Sequence, residues 1–259
     1  VTGVSARPTP AGDYDYDAQG GGYARVRRPD PRIAAQIHAA LGEARTVVNV
    51  GAGSGSYEPT DRTVIPIEPS ATMRRERPAH LPPAIDAAAE ALPLADDAVD
   101  AAMATITIHQ WPDLGAGLRE MRRVARGPVV ILTFDPAAIT DLWLADYVPS
   151  VLHAEARRQP DLSRVAAQLG GSVTIEPVDV PLDCTDGFIQ AYYGRPEALT
   201  DPAIRQAQSS WAFGEPTEVQ AGLARLADDL ASGAWDERYG HLRTQPVYRG
   251  SLRLLIAHP

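Results

Sequence analysis

Apolar and polar positions follow two rhythms in the first half of the chain. Over 31–42, PRIAAQIHAALG sets Ile33, Ile37 and Leu41 on one face at helical spacing and stops at Gly42, which predicts an amphipathic helix with a glycine terminator. TVVNV (46–50) is an almost unbroken apolar run, the pattern of a strand buried on both faces. There follow a second strand over 63–68, a helical start at Ser70, an edge segment at 84–86 and a buried strand over 101–108. An amphipathic helix over 114–126 and a strand over 128–134 complete this half. Short apolar strands alternating with helices predict an α/β fold, which with two further strands in the second half makes a Rossmann-like doubly wound sheet of seven mostly parallel strands with helices on both faces.

The second half is less regular. Its pattern predicts helix over 137–156 and 162–170, a strand over 172–180, a helix over 218–233 ending at Gly233, and a terminal strand over 251–257. The long stretch between those last two strands exceeds an ordinary connection, so a helical insert is expected there, and with it the determinants of substrate choice.

Composition narrows the function classes. The net charge is -9 and the isoelectric point about 5.1, which disfavours a nucleic-acid partner tracked along an extended basic face. All 24 basic residues are arginine, so lysine Schiff-base chemistry is excluded. Cys184 is the single cysteine, which excludes an intrachain disulfide and a cysteine-rich zinc site. Asp179, Asp183, Asp186 and His241 match no ligand spacing, and no metal is expected. No apolar run has membrane-spanning length and the first residues lack the plan of a signal peptide, so the expected setting is cytoplasmic, without membrane association, as a monomer or homodimer.

The sharpest local signal is VVNVGAGSGSYEP, where a strand runs into Gly51, Gly53 and Gly55. Such spacing allows a tight turn and close approach of backbone to a ligand, with a helix N-terminus expected to follow. A dinucleotide fingerprint would need glycine at Ser56. Glu68 closes the second strand, where a carboxylate accepts hydrogen bonds from a ribose diol, a position shared by nicotinamide and S-adenosylmethionine enzymes. Together they point to a nucleoside cofactor. The plainer alternative is a set of turn glycines and a solvated strand end.

At this point the chain resembles the class I S-adenosylmethionine-dependent methyltransferases, of the small-molecule type with an AEALP motif, over roughly 14–135. The resemblance implies S-adenosylmethionine as cofactor, with the loop of Gly51, Ala52, Gly53 and Gly55 along its methionyl part and Glu68 on the ribose. IEPSATM implies Pro69, Ser70 and Met73 near the adenosine. AAEALPLADDAVDAAM implies Ala89 and Glu90 beside the adenine, and TITIHQWPD brings Thr105 and His109 toward the methionine end. The lead-in YDYDAQGGGYARVRRPDPRI implies closure by Tyr14 and Tyr23, with Arg28 as the carboxylate partner because its guanidinium binds in bidentate fashion. Asn49 stands where the family usually has an acid, and Ala88 where an aspartate is frequent. On this division 1–30 form a flap or lead-in, 31–180 the cofactor-binding core, 181–245 a helical substrate cover and 246–259 the strand completing the sheet.

Methyl transfer needs an aligned nucleophile and, for a hydroxyl or ammonium acceptor, a proton sink. His109, just beyond a strand end, is the candidate base, and Asp135 the candidate orienting acid, with a turn cap before Pro136 as its structural alternative. Trp111, Trp143, Tyr147, His153, Tyr192, Tyr193 and Trp211 are candidates for the wall of an acceptor pocket. The expected activity is methylation of oxygen, nitrogen or carbon on a small aromatic or natural-product acceptor. A NAD-dependent oxidoreductase and a non-catalytic S-adenosylmethionine-binding protein are the alternatives.

Overall fold

The computed structural model describes residues 26–259. Tyr14 and Tyr23 lie outside the described residues. Helix α1 (Pro31–Ala40) is capped by Asp30, whose side chain accepts from the Arg32 backbone N–H, and carries proline in its first turn. Strand β1 (Thr46–Val50) pairs in parallel with β2 (Thr63–Ile67) on one side and β3 (Ala101–Thr105) on the other. Helix α2 (Ala71–Arg75) follows β2 with Ser70 as its cap. Helix α3 (Leu114–Val124) then leads into β4 (Val129–Phe134), which pairs in parallel with β3.

The strand pleat explains the layering. Val47, Ala101, Met103, Val130 and Leu132 face Ile33 and Ile37 of α1, whereas Val48, Ala102, Ala104, Val129 and Ile131 face Leu118, Met121 and Val124 of α3. Each buried valine, leucine, isoleucine or methionine among them stabilises the fold by about 1.5–3 kcal/mol relative to leaving it in water. Both faces of the central strands are therefore apolar, as their unbroken runs require.

After β4 come two short 3-10 turns, then α4 (Pro149–Arg158), α5 (Leu162–Leu169) and the exposed edge strand β5 (Ser172–Pro177). Helix was expected throughout 137–156. Instead the first part tightens into turns, with the Trp143 indole N–H donating to the Tyr193 carbonyl at 2.8 Å. The strand expected to run to 180 also breaks, since Val180–Pro181 leave the sheet as β6 and pair with β7 (Val247–Tyr248). Helices α6 (Pro202–Gln206), α7 (Pro216–Ser232) and α8 (Ala234–Tyr239), with intervening 3-10 turns, fill the region between β6 and β7.

The terminal strand β8 (Leu252–His258) runs antiparallel between β4 and β5, giving the order β2-β1-β3-β4-β8-β5. A seventh position at the β2 edge is a single parallel bridge from Ile67 to Ile85. Pro82 and Pro83, just before it, lack the N–H groups a longer ladder would need. The result is the doubly wound sheet with helices on both faces and a helical insertion.

One local expectation fails. No helix follows the glycine turn: residues 51–62 run from β1 to β2 entirely in turns and bends. Gly51, Gly53, Gly55 and also Tyr57 take left-handed backbone angles, and Pro59 follows. A helix through this stretch would lose about 1 kcal/mol per glycine and about 3 kcal/mol at the proline. The loop is held by side chains instead. Glu58 accepts from Arg77 Nη2 at 2.8 Å and from Asn49 Nδ2 at 3.0 Å, both buried beneath the turn, while the Tyr57 hydroxyl donates to Asp186 at 2.7 Å.

Candidate active site

The sheet order reverses between β1 and β3, where α/β folds place their ligand sites. A cleft of about 770 Å³, counting space open to solvent, lies over the C-terminal ends of these strands. Its floor begins with the glycine turn. The Gly51 and Ala52 N–H groups both donate to the Ile67 carbonyl at 2.9 Å, tying the turn to the end of β2. Gly51 has φ +70°, and a Cβ there would lie 2.3 Å from Thr107 Oγ1, so only glycine fits against the loop after β3.

Glu68 is 7% exposed, and its two carboxylate oxygens accept from Gly53 N–H and Ser70 N–H, each at 2.8 Å. Burial pushes this carboxyl above the ordinary glutamate value, and the two backbone donors oppose the shift. Glu90 sits across the cleft and accepts from the Asp113 N–H at 3.1 Å. Among the described lining residues there are two carboxylates and no basic side chain.

The cleft brings together most of the expected cofactor residues: Gly51, Ala52, Gly53, Glu68, Pro69, Met73, Ala89, Glu90 and Thr105. Ser54, Ser56, Ile106, Thr107, Gln110 and Pro112 join them unpredicted, and Trp111 lines this cleft rather than an acceptor pocket. Ser70 stands behind it, capping α2 and supplying an N–H to Glu68. Gly55 is turned toward Leu81 and Arg77. Asn49, fully buried, faces Glu58 instead of the cleft, because residue 49 lies on the α1 side of β1. Arg28 is exposed and outside the lining, and its neighbour Arg27 turns inward.

Arg27 belongs to a second cavity, of about 550 Å³ including open space, bounded on its apolar side by Ile106, Phe134, Ile139, Leu152, Phe188 and Ile189. Its polar side holds His109, Glu155, Gln190, Gln208 and three serines at 209, 210 and 251. Arg27 Nε donates to Asp186 at 2.5 Å, and that carboxylate also takes the Tyr57 hydroxyl, so the glycine loop and this cavity share one buried anion. Ile106 lines both cavities. It has φ +51°, a genuine outlier for a β-branched residue, held by its N–H to the Leu132 carbonyl at 2.7 Å.

Asp135 does not reach either lining. Its carboxylate accepts from the Ala137 N–H at 3.1 Å and from Arg253 at 3.1 Å, which corrects a catalytic assignment to a turn cap and ion-pair partner. The aromatic set is likewise redistributed. Trp143 packs with Tyr147, Trp235 and Tyr239 at ring separations of 5.3–6.2 Å. Tyr193 stacks on Tyr248 at 5.0 Å, and Tyr192 is buried beside Arg195. His153 is exposed, and Trp211 reaches the second cavity only through its indole N–H to Gln208 at 2.9 Å. Large rings are the best fillers of a core, so aromatic identity alone did not mark a ligand wall. Among the described residues no group of three or more His, Cys, Asp or Glu is placed to hold a metal, and no helix is long and apolar enough to cross a membrane.

Comparison with known proteins agrees with this geometry. Residues 48–131 match the model of a methyltransferase domain family. Over 90% of this chain and 98% of the other, the fold matches a protein of Anabaena variabilis ATCC 29413, named as a methyltransferase from an antibiotic biosynthesis pathway, with 31% identity and a TM-score of 0.83. An S-adenosylmethionine-dependent methyltransferase of Thermotoga maritima shares the fold at 14% identity and a TM-score of 0.56, over 94% of this chain and 97% of its own. The cyclase SpnF does so at 15% identity and 0.55, over 94% of each chain. The uncharacterised protein YafE of Escherichia coli K12 is 35% identical over 60 residues, which span 22% of this chain and 29% of that protein. The switch-point cleft with its glycine turn and acidic strand end, and the match over 90% of the chain at 31% identity, lead to one assignment: the chain belongs to the class I S-adenosylmethionine-dependent methyltransferase family.

Proposed function

We propose that this protein transfers a methyl group from S-adenosylmethionine to a small molecule held in the second cavity, by O-, N- or C-methylation of an aromatic or natural-product acceptor. The observation that carries this reading is that two cavities, one lined by two carboxylates and one with an apolar wall facing a polar one, meet at the single side chain Ile106. The antibiotic-pathway name of the Anabaena relative supports the natural-product class. A chain of net charge -9 is poorly suited to nucleic acid as acceptor.

The first cleft fits the cofactor. Two carboxylates and no basic side chain among the described lining residues suit a ligand bearing a sulfonium and an ammonium, and on this reading Glu68 accepts from the ribose diol. Met73 and Ala89 offer apolar surface to a base. The absence of a helix after the glycine turn removes the N-terminal dipole on which a dinucleotide pyrophosphate normally rests. When bound, the cofactor supplies an electrophilic methyl group on sulfur.

The remaining work falls to the chain. Residues 31–180 hold the donor, 181–245 cover the acceptor and 246–259 close the sheet. The apolar wall excludes water and orients the nucleophile. His109 lines the acceptor cavity and its neighbour Gln110 the donor cleft, and on this reading His109 is the base that takes a proton from an acceptor hydroxyl or ammonium.

Calorimetry with S-adenosylhomocysteine and with NAD tests the assignment. Binding of the former alone is expected, and binding of NAD alone would overturn it. Where an acceptor is turned over, His109→Ala is expected to lower kcat by at least about tenfold while S-adenosylhomocysteine affinity stays within about twofold. Unchanged turnover removes His109 as the base.

A further inference from the structure

The acceptor cavity contains two buried polar groups with unused hydrogen-bonding capacity. Gln190 is 4% exposed, and its Oε1 accepts from the Ser251 backbone N–H at 2.9 Å. A backbone N–H can only donate, so this contact fixes the oxygen end of the amide and leaves Nε2 as the donor. That Nε2 has no partner among the described residues, and neither has the hydroxyl of Ser251, which is 1% exposed. Gly250 makes room for the arrangement, since a Cβ there would lie 2.6 Å from Gln190 Oε1. A buried donor left unmade costs about 1–3 kcal/mol, and a ligand acceptor in this cavity recovers it.

The charges around the same cavity are already paired. Arg27 is bound to Asp186, itself buried, and Glu155 Oε2 lies 3.1 Å from Arg158. An anionic ligand would gain little from a guanidinium already committed to a carboxylate, and would lose its hydration on entering a cavity walled on one side by Phe134, Phe188 and four aliphatic side chains.

We propose that Gln190 Nε2 and Ser251 Oγ together read a neutral carbonyl oxygen on an otherwise apolar part of the acceptor, a ketone, quinone, lactone or amide rather than a carboxylate. This deepens the methyl-transfer reading, because the acceptor is what the second cavity would hold. The specificity arises from penalty as much as attraction: an analogue without the oxygen leaves both polar groups buried and unmatched.

The test measures binding to the full chain by ligand-observed NMR titration with three probes of similar shape: 4-hydroxyacetophenone, 4-isopropylphenol and 4-hydroxybenzoate. The ketone is expected to bind at least about tenfold more tightly than either the isopropyl compound or the carboxylate. Gln190→Glu keeps an acceptor for the Ser251 N–H but replaces the unpartnered amide donor, and Ser251→Ala removes the hydroxyl. Each is expected to erase most of the ketone's advantage, and Ser251→Ala carries the test alone if the first variant does not fold. Equal binding of the three probes, binding of none, or an advantage that survives the folded variants overturns the proposal. S-adenosylhomocysteine titrated into the same samples reads the donor cleft separately, so failure there would sink the methyl-transfer reading without deciding this one.

Discussion

Glu68→Gln is expected to bind S-adenosylhomocysteine about 100-fold more weakly than the parent protein, a loss of about 3 kcal/mol. The ionised carboxylate can accept from two ribose hydroxyls while its oxygens also receive the Gly53 and Ser70 N–H groups. An amide keeps one acceptor and turns an NH₂ toward one of those backbone donors, so the substitution removes the charge and misdirects a hydrogen bond. Calorimetry reads the effect directly. Affinity within about threefold of the parent would show that the ribose is held elsewhere.

The same residue predicts two pH dependences of opposite sign. Burial raises the Glu68 carboxyl above its ordinary value of 4.5, against the opposing hydrogen bonds from Ser70 and Gly53 and the nearby Arg74 and Arg77. Cofactor affinity therefore falls as pH drops through the raised value, because the protonated acid accepts less well. Its contribution to folding runs the other way. Between 4.5 and the raised value the native state holds the proton more firmly than the unfolded chain, so acidification stabilises the fold at this site. In Glu68→Gln both dependences should flatten together, and a binding profile unchanged from the parent would argue against Glu68 as the titrating group.

Much of the donor cleft was legible because its signals are local. Gly51, Gly53 and Glu68 sit at the ends of two strands whose apolar runs are visible in the sequence, and parallel pairing brings those ends together. Ala89 and Thr105 were indicated by the segments that resemble the methyltransferase family, AAEALPLADDAVDAAM and TITIHQWPD. Arg27 and Asp186, by contrast, meet across 159 positions, and no pattern near either announces the other. Gln190 and Ser251 are similarly remote, 61 residues apart, and neither has a residue type that marks a site by itself. The aromatic candidates failed for a different reason: Trp143 and Tyr147 satisfy core packing so well that they are consumed by it. The missing helix after Gly55 was present in the sequence as glycines and Pro59, whose helix cost the strand-turn-helix expectation overrode.

What replaces that helix carries the other large effect. Arg77→Met is expected to destabilise the protein by about 3–5 kcal/mol, since it leaves the Glu58 carboxylate buried without its cation. The partners are 3% and 1% exposed at 2.8 Å, so solvent can do little to compensate. Arg77 also donates to the Gly53 carbonyl at 3.2 Å and to the Pro82 carbonyl at 2.9 Å, pinning the glycine turn to the segment beyond α2. Because Gly53 in turn donates to Glu68, the variant should lose cofactor affinity along with stability. A neutralised pair separates charge from packing: adding Glu58→Gln to Arg77→Met removes the stranded anion yet keeps an amide oxygen for Asn49 Nδ2, and is expected to recover at least about half of the loss. Urea denaturation of the parent, single and double variants checks this through their midpoints. A single-variant cost below about 1 kcal/mol would place the pair among weak surface contacts and leave the loop held by Tyr57 and Asp186. Stability recovered in the double variant without recovered affinity would instead assign Arg77 to shaping the glycine turn, with the ion pair serving to keep that arginine in place.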